Sequence, residues 1–140
     1  MTDILQNLYE ETSGPVHRLG QKYVSPDGDT FRYVQAGAVA LATGHLLQEA
    51  AEDTNYRSMV VQAAAAIGAT EVFVTLGGTA VTANQFDNGH LFVESSTGLG
   101  QAFRIVRHEV ETSTTGTCGF TLDRGLKVAL TTSSQVTVRK

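Results

Sequence analysis

Apolar and polar residues alternate with a period of two in several short segments in the second half of the chain. Val72, Val74 and Leu76 fall on one side of the segment EVFVTL, and Leu91 and Val93 do the same in HLFVES. Alternation that includes β-branched residues is typical of strands with one buried face. The pattern therefore predicts a β-strand in each of these segments.

The same alternation returns near the C-terminus. LKVALTT places Leu126, Val128 and Leu130 on one side, and QVTVRK alternates Val136 and Val138 with polar residues. Strands that recur at about ten-residue spacing favour a sandwich or a barrel. We therefore predict an all-β fold, mainly an antiparallel sandwich or barrel-like, in a single domain over residues 22–140.

RIVRHEVE is a further predicted strand with a mixed charge pattern. It carries Arg104, Arg107, His108, Glu109 and Glu111 within eight positions. One interpretation is an exposed strand with cross-strand ion pairs, and the alternative is a polar contact between subunits.

The first half of the chain contains turn signals and shorter apolar segments. SPDGD, over residues 25–29, joins QKYV to TFRYV and predicts a hairpin, because Pro presets φ and Asp–Gly tolerates positive φ. AVALAT, between Gly37 and Gly44, predicts a short strand. We also predict a strand over residues 58–63 and a turn over 66–69, although the alanines there would suit a helix.

The N-terminal residues 1–21 are predicted to form an extended or short-helical arm. Apolar residues recur there at helical spacing after a Thr–Asp cap, and Gly14 and Pro15 then end any helix. So short a helix needs a surface on which to dock. The candidate partner-binding residues of the arm are Ile4, Leu5, Leu8 and Tyr9.

Three glycines, Gly89, Gly98 and Gly100, lie among polar residues and could suggest a ligand-binding loop. A loop that cradles a phosphate needs its glycines between a strand and the N-terminus of a helix. Both flanks here are predicted strands, and only TANQF, over residues 82–86, resembles a helical turn. The glycines are therefore interpreted as turn residues of a sheet.

Composition and charge exclude several classes of function. Charged residues make up 17%, below the roughly 25% of an average soluble domain. With a net charge of −4 and scattered basic residues, nucleic acid is not an expected partner. No apolar run approaches the roughly 20 residues that span a bilayer, and the acidic N-terminus does not resemble a signal peptide. We expect no membrane partner.

The chain shows no constellation typical of an enzyme. Its four histidines lack the spacing of metal ligands, and DGD at residues 27–29 lacks the later acidic ligands of a calcium loop. Cys118 is the single cysteine, which fits a reducing cytoplasm, and is interpreted as a small apolar core residue. We predict no catalytic residues, no metal and no cofactor.

The segment LGQKYVSPDGDTFRYVQAGAVALATGHLLQ resembles the opening of a set of small tailed-phage virion proteins. The later segments AAIGATEVFVTLGGTAVTANQFDNGHLFV, GLGQAFRI and GLKVALTTSSQVTV are similar to the rest of that set, so the resemblance covers residues 19–138. The matching positions in the first segment are Leu19, Gly20, Asp27, Gly28, Phe31, Tyr33, Gly37, Ala40, Leu41, Gly44 and Leu46.

This resemblance implies a capsid decoration (cement) protein that binds the outer surface of the phage head and stabilises the shell. Its expected partners are the major capsid protein and neighbouring copies of itself, by analogy in a trimer. The protein would be made in the host cytoplasm and would reside on the capsid surface of the virion.

Two alternatives stay open. One is a tail, neck or head-fibre component of the virion. The other is a carbohydrate-binding β-sandwich module, which is disfavoured because the chain has no Trp and its four Tyr are widely spread. An enzyme is the least favoured class.

Overall fold

The computed structural model describes residues 11–37, 39–48 and 51–140. The chain divides into two compact units, Met1–Leu47 and Gln48–Lys140. The boundary predicted between residues 21 and 22 falls inside the first of these units. The predicted helical spacing at Ile4, Leu5, Leu8 and Tyr9 lies outside the described residues.

The N-terminal unit contains the predicted hairpin. Its strands are β1 (Lys22–Val24) and β2 (Thr30–Arg32), which pair antiparallel. In the turn between them, the N–H of Gly28 donates to the carbonyl of Ser25 at 2.9 Å, and Gly28 has a φ of 92°. The Asp–Gly pair therefore supplies the positive φ that this turn requires.

The predicted strand at AVALAT is wrong for the part that the structure describes, residues 39–43. These residues pair with no strand, and the nearby His45 N–H donates to the Ala42 carbonyl within a local turn. A strand needs a neighbouring backbone to satisfy its N–H and C=O groups. Without one, the apolar character of this run does not produce a strand.

The C-terminal unit is a nearly closed barrel of six antiparallel strands in the order β3-β8-β5-β6-β7-β4. The two end strands approach each other where Val61 bridges to Val74 and the Gln62 N–H donates to the Phe73 carbonyl. A short 3-10 helix, Thr54–Tyr56, precedes the first of them. The strands are β3 (Met59–Val60), β4 (Glu71–Thr75), β5 (His90–Ser95), β6 (Ala102–His108), β7 (Thr117–Leu122) and β8 (Gln135–Arg139).

The barrel interior is the hydrophobic core, and it is filled by the side chains that the alternation predicted to face inward. Every residue that the patterns in EVFVTL, HLFVES and QVTVRK placed inside is buried. Thr137, predicted to face outward in β8, is buried as well, and its Oγ1 accepts the N–H of Ser58 at 2.9 Å. The predicted all-β, antiparallel, barrel-like fold is thus confirmed, and removal of this apolar surface from water is its main stabilising term.

The predicted strand LKVALTT is wrong, although two of its three apolar residues are buried. Leu126 and Leu130 point into the core, whereas Val128 is 45% exposed. The backbone between them bonds to a side chain: Gln101 Oε1 accepts the N–H groups of Lys127 and Val128. A carboxamide therefore takes the place that a neighbouring strand would occupy.

Two other parts of the barrel differ from prediction. Strand β7, in the sequence TCGFTL, was not predicted, although Cys118, Phe120 and Leu122 alternate there and are buried. The predicted helical turn TANQF is a succession of turns with bonds between residues three apart, beginning with Gln85 N–H to the Thr82 carbonyl. The backbone never continues into a helix.

The glycine-rich segment between β5 and β6 is a hairpin connection, as predicted. Ser96, Gly98 and Gly100 all have positive φ, and the Gly100 N–H donates to the Val93 carbonyl at 3.0 Å. Strands flank it on both sides. These glycines therefore shape a turn, and no helix N-terminus receives a ligand there.

Candidate interaction surfaces

His108 points into the barrel because β6 contains a bulge. Ile105 lies opposite Leu122 and Arg107 lies opposite Thr121, so that Val106 is an extra residue in the ladder. An extra residue turns all later side chains to the opposite face. Strict alternation in RIVRHEVE would have placed His108 outside, but its side chain is 3% exposed.

Both nitrogens of the His108 ring bond to backbone. Nε2 accepts the N–H of Phe86 at 2.9 Å, and Nδ1 lies 3.0 Å from the carbonyl oxygen of Glu109. A carbonyl oxygen only accepts, so Nδ1 carries the proton that it donates. The ring packs against Phe86 and Phe120, with centroids 5.8 and 5.0 Å away. This arrangement holds the turns before β5 against β6.

Cys118 lies beside this histidine, a proximity that the sequence did not predict. Its Sγ is 3.9 Å from Nδ1 of His108 and 3.9 Å from the carbonyl of Glu109. Burial, followed by the negative charges of Glu111 and Glu109, raises the pKa of the Cys118 thiol to about 11. The thiolate is the nucleophile, so this thiol is unreactive near neutral pH. Its geometry fits the predicted role of a small core residue.

The other histidines that the structure describes do not lie beside His108 and Cys118. His17 stacks edge-on against Tyr33 with a 5.3 Å centroid distance, and His90 lies beside Phe92. Within the described ranges, no group of three or more His, Cys, Asp or Glu side chains could hold a metal ion. The same ranges contain no helix that is long and apolar enough to cross a membrane.

The N-terminal unit exposes its apolar side chains instead of burying them. None of its described residues, 11–37 and 39–47, is buried. Leu46 is fully exposed and Val39 is 80% exposed. Exposed apolar side chains are candidates for protein–protein contacts where they lie together in one patch. The exposed large apolar residues of this unit are Val16, Val24, Phe31, Val34, Val39, Leu41, Leu46 and Leu47.

Hydrogen bonds to one tyrosine hold the start of this unit to its hairpin. The hydroxyl of Tyr33 lies 3.2 Å from Thr12 Oγ1 and accepts the N–H of Val16, also at 3.2 Å. The hydrogen bond with Thr12 is the main reason that the pKa of the Tyr33 hydroxyl is lowered, and the bond from Val16 lowers it further. The described part of the predicted arm is thus attached through Thr12 and Val16 to the residue that follows β2, while the side chain of Val16 is exposed.

The barrel also exposes apolar side chains, along β3 and the segment that follows it. Val60, Ala63, Ala64, Ala66 and Ile67 are all exposed. Phe73, 42% exposed, adjoins them, because the Gln62 N–H bonds to its carbonyl oxygen.

The absence of charged residues marks both of these exposed apolar segments in the sequence, although the alternation pattern does not. Residues 33–48 and residues 58–70 contain no Asp, Glu, Lys or Arg. A long uncharged run at the surface of a protein is the feature that separates an interface core from ordinary solvated surface. The predicted anchors Ile4, Leu5, Leu8 and Tyr9 precede these runs and lie outside the described residues.

The fold defines an all-β protein with a nearly closed antiparallel barrel and a separate hairpin unit. Comparison of the chain with protein-family models, with curated proteins and with solved structures finds no match.

Proposed function

We propose that this protein is a structural protein of a tailed-phage virion, of the capsid decoration type. It binds the outer surface of the head through the major capsid protein and stabilises the shell. The observation that carries the proposal is the N-terminal unit, whose large apolar side chains are exposed and which has no buried residue in its described part.

The residues behind the phage resemblance fit a structural role. Three of its matched glycines, Gly20, Gly28 and Gly44, have positive φ values of 78°, 92° and 81°. Glycine at such positions meets a requirement of the backbone, since other residues are strained there. The matched glycines therefore reflect requirements of the backbone conformation, which a structural protein shares, and they carry no reactive side chain.

The two-part build suits a protein that stabilises a shell. The buried apolar core belongs to the barrel, so the N-terminal unit is available for contacts with capsid protein. Burial of its apolar side chains against capsid protein would supply binding energy from the hydrophobic effect. A shell holds many such sites at high effective concentration, so that modest single contacts add up to firm attachment.

Co-sedimentation with capsids of the phage that encodes the protein tests the proposal. We expect binding on the order of hundreds of copies per particle, since a decoration protein follows the shell lattice. Bound capsids should also rupture at a higher temperature than bare ones. A dozen or fewer copies would indicate the alternative, a tail, neck or head-fibre component, and absence of binding would contradict both.

A truncation separates the arm from the barrel in the same assay. Deletion of residues 1–20 should weaken capsid binding and leave the circular dichroism and unfolding of the barrel unchanged. Unchanged capsid occupancy would rule out the arm, with Ile4, Leu5, Leu8 and Tyr9, as a binding element.

A further inference from the structure

The sequence contains one Asn–Gly pair, and the structure places it in a tight turn immediately before β5. The N–H of Gly89 donates to the carbonyl of Phe86 at 2.9 Å, and Asn88 has a φ of 65°. Asn is one of the few residues besides Gly that tolerate this left-handed conformation at the third position of a turn. The turn therefore accounts for an asparagine that is followed directly by a glycine.

An asparagine followed by glycine is open to deamidation, because glycine has no side chain to hinder attack by its backbone nitrogen. In this reaction the nitrogen of Gly89 gives its proton to water and forms a bond to Cγ of Asn88. The Cγ–Nδ2 bond breaks, and Nδ2 takes up a proton and leaves as ammonia. Water then opens the five-membered imide at one of its two carbonyls, which gives an aspartyl or an isoaspartyl residue. Water is the only co-reactant, and nothing is oxidised or reduced.

In the closed turn, both reacting groups of the pair are held in hydrogen bonds. The Gly89 N–H, whose proton must leave, is bonded to the Phe86 carbonyl. Oδ1 of Asn88 accepts a bond from the Arg104 guanidinium. Gly89 is also buried, with the carbonyl oxygen of Arg139 directly beside its Cα. Because the imide forms only when these bonds break, the closed turn opposes the reaction.

Ile105 fixes the spacing between the two residues of the pair. Its carbonyl accepts the N–H of Asn88 at 3.0 Å, and its N–H donates to the carbonyl of Gly89 at 2.9 Å. An isoaspartyl residue continues the backbone through Cβ and Cγ, which inserts one carbon between these two bonding groups. The carbonyl of Arg139 leaves no room for that carbon beside Gly89. The isoaspartyl product therefore cannot restore both bonds, whereas the aspartyl product keeps the native backbone.

We propose that Asn88 is a modification site that the fold controls. It deamidates when the turn of residues 86–89 is open and is protected while the turn is closed. The isoaspartyl product cannot re-form both bonds to Ile105, so a barrel that contains it is less stable. Opening of the turn is in this way converted into a permanent change of the chain. The inference is independent of the proposed function, since it depends only on contacts within the barrel.

Incubation of the full-length protein at pH 8, with and without urea, tests the protection. Peptide mapping by mass spectrometry measures deamidation at Asn88. The rate in the native protein should be at least about tenfold lower than in urea, since a closed turn reacts only through its open population. Asn84, which precedes Gln85, is an internal reference and should react slowly in both states. Equal rates at Asn88 in the two states, or no reaction there in urea, would overturn the inference.

Replacement of Arg104 tests the hold on the asparagine side chain. Arg104→Met removes the donor to Asn88 Oδ1, so deamidation of the native protein should become at least about threefold faster. The rate in urea should not change, since the contact exists only in the fold. Arg107→Met, at an exposed position of the same strand, is the matched control and should react like the wild type.

Urea unfolding of both variants distinguishes local from global effects. A faster rate in Arg104→Met that merely follows a loss of overall stability would contradict local control by the turn. An unchanged native rate would do the same.

Proteolysis near the urea midpoint separates the two products. A brief digestion removes unfolded chains, and isoaspartyl chains should be depleted at least about tenfold from the surviving fraction, as loss of a buried hydrogen bond predicts. Asn88→Asp is the control, because it has the carboxylate of the aspartyl product and an unaltered backbone, and it should survive like the wild type. Isoaspartyl chains that survive as well as Asn88→Asp would overturn the inference.

Discussion

The Nε2 atom of His108 lies 2.9 Å from the backbone nitrogen of Phe86 and accepts its hydrogen bond inside the barrel. Asn84 strengthens the same connection, since its N–H donates to the His108 carbonyl and its Oδ1 accepts the His108 N–H. One histidine thus joins β6 to the irregular turns before β5. The position of His108 inside the barrel therefore contributes to the stability of the fold.

Replacement of His108 should therefore be costly. His108→Ala leaves the Phe86 N–H without its acceptor and opens a cavity beside Phe120, so the free energy of unfolding should fall by about 2–4 kcal/mol. Urea denaturation measures the change. His90→Ala, at an exposed position in β5, is the control and should stay within about 0.5 kcal/mol of wild type. Equal effects of the two variants would contradict this role.

The raised pKa of Cys118 predicts a loss of stability at alkaline pH. The native thiol keeps its proton to a pH near 11, whereas the unfolded thiol loses it near 9.0. Stability is therefore unaffected below pH 9 and falls as the pH rises toward 11, by about 2–3 kcal/mol. Urea unfolding at several pH values measures this decrease.

Other groups also titrate above pH 9, so the comparison needs a variant without the thiol. Cys118→Ala has a lower stability at neutral pH, but its decrease between pH 9 and pH 11 should be smaller than that of the wild type. Parallel pH profiles would show that the buried thiol does not contribute. In the folded protein, alkylation of Cys118 at pH 8 should be at least about tenfold slower than in urea.

Two glycines should respond differently to substitution. A Cβ at Gly89 would overlap the carbonyl oxygen of Arg139, which belongs to the backbone of β8 and cannot move aside. Gly89→Ala should lower the free energy of unfolding by at least about 2–3 kcal/mol. Gly100 has a φ of 86° but open space around it, so Gly100→Ala should cost about 1–2 kcal/mol. Thermal unfolding compares them, and the reverse order would refute the close approach at Gly89.

Gln101 should protect the loop that was predicted as a strand. Its carboxamide accepts the N–H groups of Lys127 and Val128 and donates to the Val128 carbonyl at 3.0 Å. Gln101→Ala should cost about 1–3 kcal/mol and speed hydrogen exchange at those two amides. Gln62→Ala, at an exposed position, should change neither property. Unchanged exchange in Gln101→Ala would refute the contact.

Much of the barrel could be predicted from the sequence because its strands bury one face. In β4, Val72 and Val74 alternate with exposed residues, and both are fully buried, as the period of two indicates. The SPDGD turn was predictable for a similar reason, since the φ of Gly28 is a local requirement of the backbone. Strand β7 was not predicted because Thr117, Gly119 and Thr121, which alternate with its buried residues, are also common in loops.

The candidate surfaces were less predictable, because exposure depends on what the rest of the chain covers. AVALAT and LKVALTT have similar apolar content, yet Leu130 is buried in the barrel while Val39 is 80% exposed. No local pattern distinguishes a segment that finds a core from one that does not. The absence of charge in residues 33–48 was visible in the sequence but does not indicate its partner.

The sequence by itself determined the elements whose causes are local: alternating strands, a tight Asp–Gly turn and glycines at positive φ. Only the tertiary structure decided the strand order, the hydrogen bonds from the backbone of Lys127 and Val128 to the Gln101 side chain, and the bulge at Val106. This bulge turns His108 inward. Each of these depends on a backbone that is distant in sequence. Hydrogen-bond partners across a barrel are selected by the three-dimensional path of the chain, which no short window of residues contains.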